Sequence, residues 1–176
     1  KLLLAAKAKP DQTRWDGLTP LAYSCMYGDA ESARLLLEHH AQPSKRDEAG
    51  WPPLLWAAIR GHTACVKLLI DEYAVPADEA RPNGCTALMA ASLSGSVDCV
   101  DALIQSGARI DARTACVGYS TQGLGGRGLS ALMLAAKHGH SRCVRRLLDA
   151  NASTTLLDAS GATAMGHATI RRSRSS

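Results

Sequence analysis

The chain has 176 residues, 46% of them hydrophobic, with 20 Lys and Arg against 16 Asp and Glu for a formal charge of +4. That length suits one ordinary domain with its own core, and so high an apolar content excludes wholesale disorder. The charge is too small to indicate nucleic acid by itself. No apolar run approaches the roughly 18 residues that cross a bilayer, so no membrane is expected. Phe is absent and Ala and Leu lead the composition, which favours close-packed helices over a sandwich or barrel.

The chain opens on Lys1-Leu2-Leu3-Leu4-Ala5-Ala6. This apolar run stops at Lys7, short of the roughly 7–15 residues in a signal-peptide core. With no initiator Met, the sequence is expected to begin part-way through a longer protein.

A repeat then sets the order of elements. Gly17, Gly50, Gly84, Gly128 and Gly161 are spaced by 33, 34, 44 and 33 residues, and four residues after each comes Leu21, Leu54, Leu88, Leu132 or Met165. Two further registers, Leu3-Leu36-Leu69-Leu103-Leu147 and Ala8-Ala41-Ala74-Ala108-Ala152, keep the period and share the interruption before the fourth repeat. In each unit a glycine turn leads to a polar cap and often a proline, as in Thr19-Pro20. Such a pair starts a helix, because Thr accepts a backbone N–H bond and Pro has none to lose at the first position. An Ala-rich helix is expected to end at Gly28, Gly61, Gly95 or Gly139. A second helix follows, through Val66–Ile70 or Val144–Leu148, and closes at a left-handed position suited to Gly107 and Asn151. Neither helix alone buries its apolar stripe, so stacked units must share one core.

Asp47-Glu48-Ala49-Gly50, Gly17-Leu18-Thr19-Pro20-Leu21, Ala135-Ala136-Lys137-His138-Gly139-His140 and Gly107-Ala108 together resemble the signature pieces of ankyrin repeats. The resemblance covers essentially the whole chain. It implies an all-α solenoid of stacked helix-turn-helix units with short β-hairpin loops. The chain reads as one domain: a partial repeat (1–14), repeats at 15–46, 47–80, 81–127 and 128–157, and a partial repeat (158–176). The third carries an inserted loop of about 11 residues, placed at about 109–127 and polar and Gly-rich over 114–123.

The sequence also departs from the family pattern. The His that usually follows the Thr-Pro-Leu motif is replaced by Ala22, Leu55, Met89, Met133 and Gly166, so its hydrogen bonds between loops must be absent or replaced. His40 and Tyr73 stand where a helix-closing glycine is usual, a strained place for a bulky side chain.

The resemblance implies a protein-binding module, a scaffold or adaptor, that holds another protein or peptide on a concave face of hairpin tips and first helices. The matching positions give Trp15, Leu18, Met26, Tyr27, Trp51, Ile59, Arg60, Leu93, Arg127, Leu129, Lys137 and His138. So many apolar and aromatic residues at positions expected to be exposed mark an interface, since Trp and Tyr are favoured anchors. A covering of some of them by neighbouring repeats is the alternative. The inserted loop is either a binding finger or a tolerated surface insertion. A structural role, as spacer or fixed subunit of a larger assembly, is the second reading.

Several motifs suggest chemistry without supporting it. Gly123-Leu124-Gly125-Gly126-Arg127-Gly128 satisfies G-x-G-x-x-G but enters a repeat turn, not the βαβ unit a dinucleotide needs. His138, His140 and Cys143 fall short of four convergent metal ligands. Cys65, Cys99 and Cys143 share one repeat position on helices about 8–10 Å apart, too far for disulfides. They read as small buried hydrophobes in a reducing, intracellular setting. Cys85 and Cys116 are expected in exposed turns open to oxidation. The sequon at Asn151 falls on a helix end. The tail Arg171-Arg172-Ser173-Arg174-Ser175-Ser176 is either a solvated terminus or a phosphorylation or localisation segment. No catalytic residue, cofactor or metal site is assigned.

Overall fold

A computed structural model describes residues 9–115 and 128–174, the last five of these as helix backbone alone. Nine helices are present among the described residues. The inner row is α1 (Pro20–Tyr27), α3 (Pro53–Arg60), α5 (Ala87–Ser94), α7 (Ala131–His138) and α9 (Ala164–Arg174). The outer row is α2 (Ala30–Glu38), α4 (Thr63–Lys67, running on as Leu68–Glu72), α6 (Val97–Gln105) and α8 (Ser141–Asp149). Each of the first four inner helices packs on its own outer helix, and each row stacks on itself along the chain.

The inner helices start as the sequence dictates. The hydroxyls of Thr19, Thr86 and Ser130 accept the backbone N–H of Ala22, Met89 and Met133, satisfying donors that the first turn leaves free. They stop at Gly28, Gly95 and Gly139, each left-handed. Leu69, Leu103 and Leu147 are fully buried and Leu36 is half-buried against the same core. One apolar spine therefore runs through the stack, each buried Leu contributing about 1.5–3 kcal/mol.

The third register needs a correction. Ala41, Ala108 and Ala152 donate their N–H to Leu36, Leu103 and Leu147, but in the second repeat Val75, not Ala74, makes this bond, to Leu69. One extra residue sits between, and it is absorbed by a π turn over Leu68–Glu72. Ala74 therefore takes the positive φ of 52°, alongside His40 at 65° and Asn151 at 62°, while Tyr73 stays at −115°. Widening one turn lets the helix keep Leu69 inward and still close in register.

Each hairpin is too short to form strands, and among the described residues the one ladder pairing is the Ala80–Thr86 bridge. The tips are closed by bonds from the N–H of Arg14, Asp47, Arg81, Thr114 and Asp158 to the carbonyls of Leu18, Trp51, Cys85, Leu129 and Ala162. The Thr114–Leu129 bond brackets the insertion. Asp111 accepts the Ser153 N–H as Asp11 and Asp78 accept those of Gln42 and Arg109. Residues 109–114 thus belong to the regular repeat frame, which is taken up again at Leu129. Residues 116–127 themselves, with Cys116 and most of the glycine-rich motif, lie outside the described residues, as do Leu3 and Ala8.

Candidate functional site

The inner helices and hairpin tips form one face, and its N-terminal end is aromatic. Trp15 is 83% exposed, Tyr27 64% and Tyr23 38%. The two tyrosines stand one turn apart on α1, their rings 4.9 Å apart, as i and i+4 on a helix must. The Arg14 guanidinium lies 6.0 Å from the Trp15 ring and 5.7 Å from Tyr23, within reach of a cation–π attraction to both. Below them Gln12, Leu18, Thr19 and Pro20 line a groove of about 190 Å³. The Tyr23 hydroxyl beside it pushes the Tyr27 phenol up, so Tyr27 remains a neutral donor.

Farther along, Met26, Ile59 and Leu93 are half-buried, while Arg60, Lys137 and His138 are exposed. The face gains rigidity from two histidines in the following repeat. His62 donates its Nε2–H to the Met26 carbonyl at 3.2 Å, and His140 donates to Leu93 at 2.9 Å. A carbonyl can only accept, so both rings carry their proton on Nε2. These bonds hold the last turns of α1 and α5 with their apolar residues outward. The tips are tied in turn: Glu48 N–H donates to the Asp16 carbonyl, an Arg81 Nη2–H to Ala49, and Ala115 N–H to Asn83.

Two of the expected site residues are not on this face. Trp51 is 5% exposed and Leu129 3%. Trp51 stacks on Trp56 with centroids 4.8 Å apart, and the Arg81 guanidinium of the next hairpin covers it at 4.5 Å. Leu129 is held inward by two bonds to Thr114, N–H to Oγ1 at 2.9 Å and carbonyl from N–H at 3.0 Å. The residue after the tip glycine points between adjacent hairpins, so each hairpin buries the residue of the one before. Leu18 is half-buried for the same reason. Cys85 occupies this position too. It is fully buried, and burial pushes its thiol up to about 12, which removes the thiolate that oxidation needs. Arg127 lies outside the described residues.

Tyr23 and Arg14 were missed. The signal was available: Tyr23 stands four residues before Tyr27, one turn away on the same helix. The His138 and His140 rings stack with centroids 6.3 Å apart, and Cys143 is fully buried. Among the described residues no three His, Cys, Asp or Glu side chains are placed to hold a metal, and no helix is long and apolar enough to cross a membrane.

Stacked helix pairs with hairpin tips on one side define a helical repeat solenoid. The family model described as ankyrin repeats (3 copies) matches residues 1–74 and again 40–114, and that described as ankyrin repeats (many copies) matches 116–168. The chain belongs to the ankyrin repeat family, whose members are generally protein–protein interaction modules. None of the curated proteins matches the chain.

Proposed function

We propose that the chain is a scaffold or adaptor that holds a partner protein or peptide on its concave face, anchored at Trp15, Tyr23 and Tyr27. The observation that supports this most is the exposure of Trp15 and Tyr27, with the Arg14 guanidinium over the rings of Trp15 and Tyr23. Rigid aromatic area with an adjacent guanidinium is the composition of binding hot spots. Met26, Ile59 and Leu93 extend the apolar contact, and Arg60, Lys137 and His138 favour an acidic segment of the partner. Free, buried thiols at Cys25, Cys65, Cys99 and Cys143 fit an intracellular setting. The test is a Trp15→Ala/Tyr27→Ala double variant in a capture assay. Partner binding falls at least tenfold, as loss of two anchors at about 1–2 kcal/mol each requires, with the helical circular dichroism unchanged. Unaltered capture overturns the assignment.

A fixed subunit of a larger assembly is the second reading. It predicts contacts through the end repeats and no exchange of the bound protein.

A further inference from the structure

Two rows of side chains cross the inner helices on the concave face. Met26, Ile59, Leu93 and Lys137 each stand two residues before the glycine that closes their helix. Tyr27, Arg60, Ser94 and His138 stand one residue before it. The inner helices stack in sequence, so residues at one repeat position line up across the stack. The bonds from His62 to Met26 and from His140 to Leu93 tie these helix ends to the following repeat.

The first row is half-buried and apolar over three repeats and ends on an exposed cation, Lys137. The second is exposed and offers a phenol, a guanidinium, a hydroxyl and an imidazole, and neither row holds a carboxylate. Such a floor is complementary to a chain that brings apolar side chains and carboxylates together. One turn earlier in the third and fourth repeats, Met89, Ala90, Met133 and Leu134 are all within 1% of full burial. There the apolar strip is one side chain wide, a narrow bed for a helix of about 10–12 Å diameter. An extended chain fits it. Stacked helices lie about 8–10 Å apart, and polyproline II advances about 9 Å in each three-residue turn. Every third residue of such a chain therefore returns to the same edge, opposite the next repeat.

We propose that the concave face takes a partner segment in the polyproline II conformation, read one residue in three. An apolar side chain lies against Met26, a carboxylate at Arg60, an apolar side chain against Leu93 and a carboxylate at Lys137. The proposal rests on the concave face being the partner site, and adds to that the conformation and the period of the bound chain.

Fluorescent peptides test it by anisotropy on the full chain. Leu-Pro-Pro-Glu-Pro-Pro-Leu-Pro-Pro-Glu and its reversed sequence carry the period in the two chain directions. Leu-Pro-Pro-Pro-Glu-Pro-Leu-Pro-Glu-Pro has the same composition but turns both carboxylates off the common edge. The better periodic peptide binds roughly threefold to fivefold tighter than the shuffled one, the size of exposed ion pairs. An Arg60→Glu/Lys137→Glu protein, its circular dichroism unchanged, inverts that preference. It also binds the periodic peptide with lysine in place of glutamate better than the parent does. Equal binding of periodic and shuffled peptides, or none by either, overturns the proposal, as does a charge-reversed protein that keeps the parent's preference. So does a helix-stapled peptide whose glutamates span the same distance and which outbinds both. If the Trp15→Ala/Tyr27→Ala variant still loses partner capture in that event, the face holds the partner and only the conformation and period are wrong.

Discussion

The imidazole Nε2 of His167 lies 3.0 Å from Oδ2 of Asp158, at the place where three repeats earlier the Trp56 indole N–H donates to Asp47 at the same distance. In both repeats a ring nitrogen on the inner helix fixes the aspartate that builds the hairpin. Asp158 also accepts from the backbone N–H groups of Ser160 and Ala162 and from the Ser160 hydroxyl.

Burial raises the Asp158 carboxyl, but the bonds from Ser160, Ala162 and His167 outweigh it and hold the group at about 2. A folded value below the unfolded one contributes stability above the unfolded value and loses it as the pH falls through the folded one. The contribution, on the order of 2 kcal/mol, is therefore present at neutral pH and fades between about 4 and 2. Asp158→Asn should lower protection of α9 in hydrogen exchange at pH 7 and differ little from the parent near pH 2. A difference that persists undiminished at pH 2 contradicts the pairing.

Trp51 and Trp15 should separate stability from binding. Trp51→Ala removes a side chain sandwiched between Trp56 and Arg81 and should cost about 3–5 kcal/mol. Trp15→Ala, at an exposed tip, should fall within about 0.5 kcal/mol of the parent. Denaturant titration reads both, and equal losses contradict the burial described.

Gly95 and Gly107 both have φ near +80°, but their surroundings differ. A Cβ on Gly95 meets His140 Nδ1 at 2.5 Å, whereas one on Gly107 meets nothing within 4 Å. Gly107→Ala should cost only the left-handed strain, about 1–2 kcal/mol. Gly95→Ala adds a clash of about 1–3 kcal/mol and displaces the His140 bond to Leu93. Thermal unfolding that ranks the two alike contradicts this.

His40 and Ala74 carry the same strain without relief. His40→Gly and Ala74→Gly should each stabilise the stack by about 0.5–1 kcal/mol net of the glycine's added chain entropy. A fall in melting temperature for either contradicts the assigned backbone.

Much of this was legible in the sequence because the repeat is carried by residues whose environment never changes: Leu69, Leu103 and Leu147 face the same interior in every unit. The caps at Thr19, Thr86 and Ser130 are equally local. What one repeat does to the next was not legible. Trp51, Cys85 and Leu129 look exposed in a lone hairpin and are buried by the following one. The extra residue of the second repeat left no mark on the leucine register, because a π turn beyond Leu69 absorbs it, and so Tyr73 was given the strain that Ala74 bears. Tyr23 was passed over although it stands one helical turn before Tyr27 and its ring lies 4.9 Å from it.

The central claim is that a partner is gripped at the aromatic end of the concave face. Photo-crosslinking from benzoylphenylalanine placed at Trp15, at Tyr27 and, on the outer row, at Lys67 tests it most directly, with adducts of the native assembly identified by mass spectrometry. One and the same protein should be captured from positions 15 and 27 and not from 67. Capture from 67 alone would show that the outer helices, not the tips and inner helices, meet the partner.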